Sequence, residues 1–220
     1  MEIWLDTTNE ETIQQAVRLG ILSGITTNPS LIVSSQKEMR PLLESLLELQ
    51  EGPVTVQVVA DDAYEMAQQG QSLYSFSNRI IVKVPMTKNG LEAIHLLASQ
   101  GIPTMATVIF HSRQALMAAM AGAYYVAPYL SRIETAGEDP WKMLATTLEM
   151  FHNYRLQTKI LGASLTSVEQ VVKCAELGIY GITVKDNLFE KLIEDHPLTL
   201  EGVEKFTEDW KNVSNSLFVQ

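Results

Sequence analysis

Arg79-Ile80-Ile81-Val82-Lys83-Val84-Pro85 is a β-branched run in which apolar residues occupy both faces of an extended chain. A strand of that kind is buried on both sides, as in a parallel sheet covered by helices; a strand with one wet face would alternate. Seven further short β-rich runs flank it: EIWLD (2–6), GITTN (24–28), VTVQVVA (54–60), PTMATVIF (103–110), YYVAPYL (124–130), KILGASL (159–165) and GITVKD (181–186). Between them lie stretches with helical spacing, at 10–20, 39–50, 89–100, 112–122, 141–154 and 167–178. Gly20, Gly101, Gly122 and Gly178 each fall where a helix should stop, shortly before the next strand. Eight β-then-α units closing on themselves predict an α/β fold, a (β/α)₈ TIM barrel. A doubly wound open sheet is the alternative. It commonly carries a Gly-rich loop after its first strand, where this chain has TTNEE (7–11).

The 220 residues, 46% apolar and 19% charged, exclude a disordered chain, and no run approaches the roughly 18 apolar residues of a membrane span. Without a Pro/Gly/Ser-rich linker the chain reads as one domain, 1–220, since barrels reach about 250 residues as single units. The amphipathic stretch 200–218, with Val203, Phe206 and Trp210 on one side, is an extra C-terminal helix that either covers its own barrel or docks on a neighbouring subunit. Sixteen Lys and Arg against 26 Asp and Glu give a net charge of −10, which argues against nucleic acid as a partner. A small phosphorylated substrate then requires a locally supplied positive charge. The one thiol, Cys174, lies in an apolar helical stretch, which suits core packing and a reducing compartment. The N-terminus MEIWLDTTNEE has neither a basic segment nor a long apolar core and reads as the start of a cytoplasmic protein.

In such barrels the chemistry gathers at the C-terminal ends of the strands. This chain places polar residues there on seven strands: Asp6, Thr26 and Asn28, Gln57, Lys83, Thr107, Tyr129 and Ser164. Singly, each has an ordinary explanation. Asp6 and Asn28 fit turns or caps, Thr107 fits a strand former, Ser164 a loop hydroxyl and Tyr129 a rim aromatic. Their common level is harder to explain that way. Lys83 stands out because burying an unpaired ammonium costs several kcal/mol or more. Either it snorkels to water or pairs with Asp6 across the barrel, or desolvation lowers its pKa and leaves an amine able to form a Schiff base with a ketone. The strand position favours the second. A protonated imine then serves as an electron sink when a neighbouring carbon–carbon bond breaks, while Gln57, Thr107 and Tyr129 suit the proton transfers and Asp6 and Asn28 suit sugar hydroxyls. The four histidines and single cysteine show no metal-ligand spacing, and no metal or cofactor is expected.

Along its whole length the chain resembles the fructose-6-phosphate aldolase and small transaldolase-like class I aldolase family. The resemblance rests on LDTTN (5–9), GITTNPSLI (24–32), VQVVA (56–60), IVKVPMT (81–87), GIPTMAT (101–107), AGAYYVAPYLSRI (121–133) and LGASL (161–165). TTNPS and VKVP in that order, about 55 residues apart, are its specific signature. It implies that Lys83 forms the Schiff base and that Asp6, Thr26 and Asn28 meet the donor end of the substrate. It implies that Gln57, Thr107 and Tyr129 position the water for proton transfer, and that Arg132 and Ser164 contact phosphate. The implied reaction is reversible cleavage of fructose 6-phosphate into dihydroxyacetone and glyceraldehyde 3-phosphate. Transaldolases of this superfamily typically carry glutamate at the position of Gln57 and often phenylalanine at that of Tyr129, so both residues resemble the aldolase. Pentamers or decamers are implied as well. Two departures stand out: Leu165-Thr166 replaces a phenylalanine followed by a basic residue, and Lys185 replaces an apolar residue or proline. Lys185 reads as a rim charge and His111 as a surface loop residue.

Overall fold

All four glycines expected to end helices stand at positive φ, +70° at Gly20, +73° at Gly101, +97° at Gly122 and +74° at Gly178. At Gly178, which caps a helix, space is open around the position a Cβ would take, and it is the left-handed backbone itself that disfavours any residue with a side chain. The computed structural model describes residues 1–212. In chain order its strands are β1 (Glu2–Asp6), β2 (Leu22–Thr26), β3 (Val54–Gln57), β4 (Ile80–Pro85), β5 (Thr104–Ile109), β6 (Tyr125–Pro128), β7 (Lys159–Gly162) and β8 (Gly181–Val184). They pair in sequence order, all parallel, and β8 closes on β1. The fold is therefore a (β/α)₈ TIM barrel, as expected.

The helices are α1 (Glu10–Arg18), α2 (Pro29–Ser34), α3 (Met39–Glu48), α4 (Ala63–Phe76), α5 (Lys88–Ala98), α6 (Ser112–Met120), α7 (Leu130–Thr135), α8 (Pro140–Asn153), α9 (Val168–Leu177), α10 (Asp186–Leu192) and α11 (Pro197–Trp210). Periodicity announced neither α4 nor the short α2, α7 and α10. The buried face of α4 is Ala63, Met66, Ala67 and Gly70, too small to register as an apolar stripe. A Cβ at Gly70 would lie 2.9 Å from the Leu97 methyls and 3.1 Å from Val82, so the missing side chain is what lets α4 approach β4 and α5. Most strands end earlier than the β-rich runs suggested, and β2 covers 22–26 rather than 24–28. The polar residues beyond the last ladder pair belong to caps and loops.

Alternation along each strand creates two cores. Inside the barrel pack Trp4, Ile81, Met105, Tyr125, Ala127, Leu161 and Ala163. Outside, Leu5, Ile25, Val56, Val82, Ala106 and Val126 face helix residues such as Ile13, Leu42, Ile94 and Leu97. The bottom of the barrel is plugged by aromatics: Trp4 and Tyr125 meet edge to face at 5.5 Å, and both donate to Glu2 Oε2, at 2.8 and 2.9 Å. Burial and that carboxylate push the Tyr125 hydroxyl well above its ordinary pKa.

One irregularity bears on the site. The β5–β6 register shifts between Ala106 and Ile109, with Val108 at φ +59°. A β-branched residue in the left-handed region costs on the order of 1–3 kcal/mol. Thr107 shares the inward parity of Met105, and the extra residue after it resets the alternation so that Ile109 joins the outer core.

α11 buries none of its residues, with Val203 55% and Phe206 70% exposed. It therefore does not cover its own barrel. Residues 213–218 of the expected C-terminal helix lie outside the described residues. Among those described, no helix is long and apolar enough to cross a membrane.

Candidate active site

Lys83 sits in the middle of β4, 4% exposed, and its Nζ donates to the Thr27 carbonyl oxygen at 2.9 Å. It neither snorkels to solvent nor pairs with Asp6: the three ion pairs among the described residues are Lys37–Glu10, Arg40–Glu44 and Lys173–Glu176. Burial lowers the Lys83 pKa from its ordinary value near 10.5, and the negative charge of Asp6 opposes that shift in part.

Asp6 ends β1 opposite Thr26 and accepts a 2.9 Å hydrogen bond from its hydroxyl. Thr26 has one hydrogen to give. The 2.7 Å contact between Thr26 Oγ1 and Thr183 Oγ1 must then be donated by Thr183, which makes a directed chain from β8 through β2 to the carboxylate. Thr26 is fully buried. Asn28 lies past the end of β2 as the N-cap of α2, where Oδ1 accepts from Leu31 N at 3.1 Å. The cap assignment thus holds for Asn28, and its amide hydrogens are what remain for a ligand.

Gln57 is in register with Lys83 on the neighbouring strand, so the two side chains share one sheet face. It is half-buried and lines a cavity of ≈ 530 Å³ together with Pro85, Thr87 and Lys88. Thr107, in register with Pro85, is fully buried and donates to the Tyr129 hydroxyl at 3.2 Å. That length is loose for two hydroxyls and leaves both with hydrogen-bonding capacity. The Tyr129 ring packs edge-on to Phe110 at 6.0 Å, while the Arg132 guanidinium carbon stands 5.1 Å over its centroid. Arg132 is exposed on α7. Ser164 lies just beyond β7 at φ +58°, and its carbonyl accepts from Ser131 N at 3.1 Å.

Closure thus brings Asp6, Thr26, Gln57, Lys83, Thr107 and Tyr129 to one end of the barrel, with Asn28, Arg132 and Ser164 on the segments that follow the strands. Lys185 is an exposed N-cap residue, as a rim charge should be. His111 is exposed but not idle: its Nδ1 accepts from Arg113 N in the capping box of α6. Two contributors escaped the sequence. Thr27 acts through its carbonyl, which side-chain chemistry cannot announce, and Thr183 supplies the first hydroxyl of the chain to Asp6. A Thr in GITVKD, the one strand assigned no polar residue, was the available signal for the latter.

The set joins a buried amine to a carboxylate, an amide and three hydroxyls, which suits amine chemistry. The sequence profile described as Transaldolase/Fructose-6-phosphate aldolase matches residues 3–217. A probable transaldolase of Desulfitobacterium hafniense is 39% identical over 213 residues, covering 97% of this chain and 100% of that protein. Another, from Coprothermobacter proteolyticus, is 38% identical over 218 residues, covering 99% and 100%. A third, from Herpetosiphon aurantiacus, is 37% identical over 219 residues, covering 100% and 99%. With a lysine desolvated in the fourth strand of a closed parallel barrel and these similarities across its length, the chain belongs to the transaldolase/fructose-6-phosphate aldolase family.

Proposed function

We propose that the protein is a Schiff-base aldolase that reversibly cleaves fructose 6-phosphate to dihydroxyacetone and glyceraldehyde 3-phosphate. The observation that carries this reading is the burial of Lys83 with one hydrogen bond and no ion pair, which favours the neutral amine. The amine attacks the C2 ketone, and loss of water gives an iminium. The C3–C4 bond then breaks: its electrons flow into the iminium to form an enamine, and the C4 hydroxyl proton leaves as the aldehyde forms. Asp6 is the carboxylate in the set suited to take that proton. Protonation of the enamine and hydrolysis of the imine release dihydroxyacetone, with Gln57, Thr107 and Tyr129 handling the water. Asn28 and Thr26 serve the donor end, Arg132 and Ser164 the phosphate.

A second reading is a transaldolase, which keeps the dihydroxyacetone unit on lysine until an acceptor sugar arrives. The names of the relatives favour it, whereas the Gln57 amide and the Tyr129 hydroxyl beside Thr107 favour release to water. A third is a barrel that binds sugar phosphates without catalysis. Borohydride with dihydroxyacetone should add mass to the peptide containing Lys83; no added mass favours the third reading. Dihydroxyacetone release from fructose 6-phosphate should proceed without erythrose 4-phosphate; strict dependence on that acceptor makes the protein a transaldolase.

The same reading places the protein in the cytoplasm, in keeping with a free, buried Cys174 whose thiol is pushed up to about 12. It also makes the protein a homo-oligomer, in keeping with the apolar face that α11 turns to solvent.

A further inference from the structure

Gln170 lies in the first turn of α9, 9% exposed, and forms a bridge between α7 and the loop after β7. Its Oε1 accepts from Thr166 N at 2.9 Å and from Ser131 Oγ at 3.0 Å, with Thr166 Oγ1 a longer third donor at 3.3 Å. Its Nε2 donates to Glu134 Oε2 at 2.9 Å. Ser131 and Glu134 belong to α7 and flank Arg132; Thr166 follows Ser164 by two residues. The backbone couples the same segments at their roots, through Leu130 N to the Ala163 carbonyl at 2.9 Å and Ser131 N to the Ser164 carbonyl at 3.1 Å.

This amide therefore joins the two segments that carry the phosphate contacts of the proposed function. Thr166 is uncharged, so Arg132 is the only cation among Arg132, Ser164 and Thr166, and its placement matters correspondingly more. Arg132 is exposed and held by no ion pair among the described residues, only by the Tyr129 ring beneath it. A long exposed side chain loses rotamer freedom when it clamps a ligand; fixing the backbone at its root lowers that cost. A partly buried side-chain amide with all its strong bonds inside the protein is a rigid part for that task.

We propose that Gln170 is a positioning residue that sets the spacing of Arg132 and Ser164 and thereby selects the phosphorylated end of the substrate. The inference rests on the aldolase reading for the identity of the substrate, and the phosphate-binding arm of its test does not depend on turnover. The full chain is compared with Gln170→Ala, and with Ser131→Ala in case the first variant folds poorly. Inorganic phosphate binding is measured by calorimetry, and KM and kcat are measured for aldol addition of dihydroxyacetone to glyceraldehyde 3-phosphate and to unphosphorylated glyceraldehyde.

Gln170→Ala is expected to weaken phosphate binding and raise KM for glyceraldehyde 3-phosphate by about tenfold, the equivalent of a good hydrogen bond. The values of kcat, KM for glyceraldehyde and borohydride trapping at Lys83 should stay near wild type. Ser131→Ala should shift the same two quantities by about threefold. Unchanged phosphate affinity in a folded variant overturns the proposal, as does an equal KM rise for both aldehydes. If the wild type binds phosphate but traps no dihydroxyacetone, the aldolase reading fails, and the phosphate measurements alone decide the role of Gln170.

Discussion

Lys83 Nζ and the carbonyl oxygen of Thr27, 56 residues apart in sequence, meet across the barrel at 2.9 Å. One N–H is thereby directed at the end of β2, and in the neutral amine the lone pair is left for an electrophile. The carbonyl accepts from either protonation state, so it orients the group without requiring charge.

The depressed pKa of Lys83 gives its pH dependence a definite sign. In the proposed reaction the neutral amine is the nucleophile, so kcat/KM should rise as pH increases through that lowered value. The folded chain binds fewer protons than the unfolded one at this residue, so stability too should rise with pH toward the ordinary lysine value of 10.5. Lys83→Met should lose activity by a factor on the order of 10³ or more. Thermal unfolding at neutral pH should show the variant more stable than wild type, with less gain between neutrality and pH 10. A less stable variant would mean that the ammonium is well accommodated.

Tyr129→Phe removes one hydroxyl and keeps the ring under Arg132. Without the oxygen that Thr107 reaches, dihydroxyacetone release from fructose 6-phosphate should slow about 10²-fold. Borohydride trapping should persist, because the proposed imine forms on Lys83. Steady-state rates with and without erythrose 4-phosphate measure the change; equal slowing of release and transfer would remove Tyr129 from the hydrolytic step.

Gly24 stands opposite Trp4 in the ladder, and a Cβ there would lie 2.7 Å from the indole and 2.8 Å from the Pro53 carbonyl. The indole is fully buried and tied to Glu2, so neither neighbour can yield easily. Gly24→Ala should lose about 1–3 kcal/mol in chemical denaturation through overpacking. A neutral result would show that the plug shifts freely.

Phe206 is the most exposed of the three apolar residues expected on one side of α11. If that face packs on another copy of the chain, Phe206→Glu should lower the molar mass measured by light scattering while far-UV circular dichroism stays unchanged. An unaltered mass would place the subunit interface elsewhere.

How far residues alone reach can be judged element by element. β1 has the expected bounds because its polar ends coincide with the ends of the ladder. α4 was hidden because small residues make its contacts with the sheet. Lys83 was legible as the conspicuous charge in an apolar run. Asn28 reads as a strand residue in sequence because a cap side chain looks like a strand-end polar residue until the backbone turns. Gln170 is illegible in sequence, since a glutamine in the first turn of a helix is ordinary there and acquires meaning only from the helix and loop it reaches.

The amino-acid order by itself determined a parallel barrel and a lysine deprived of water, because burial on both strand faces, glycine stops and the cost of a lone charge are properties of short segments. The tertiary structure decided which groups that lysine and its neighbours meet, the Thr27 carbonyl and the Thr183–Thr26–Asp6 chain, and where the strained Val108 resets the alternation of the strand beyond Thr107. Those contacts depend on the closing register of eight strands, a relation among distant segments that local preferences do not encode.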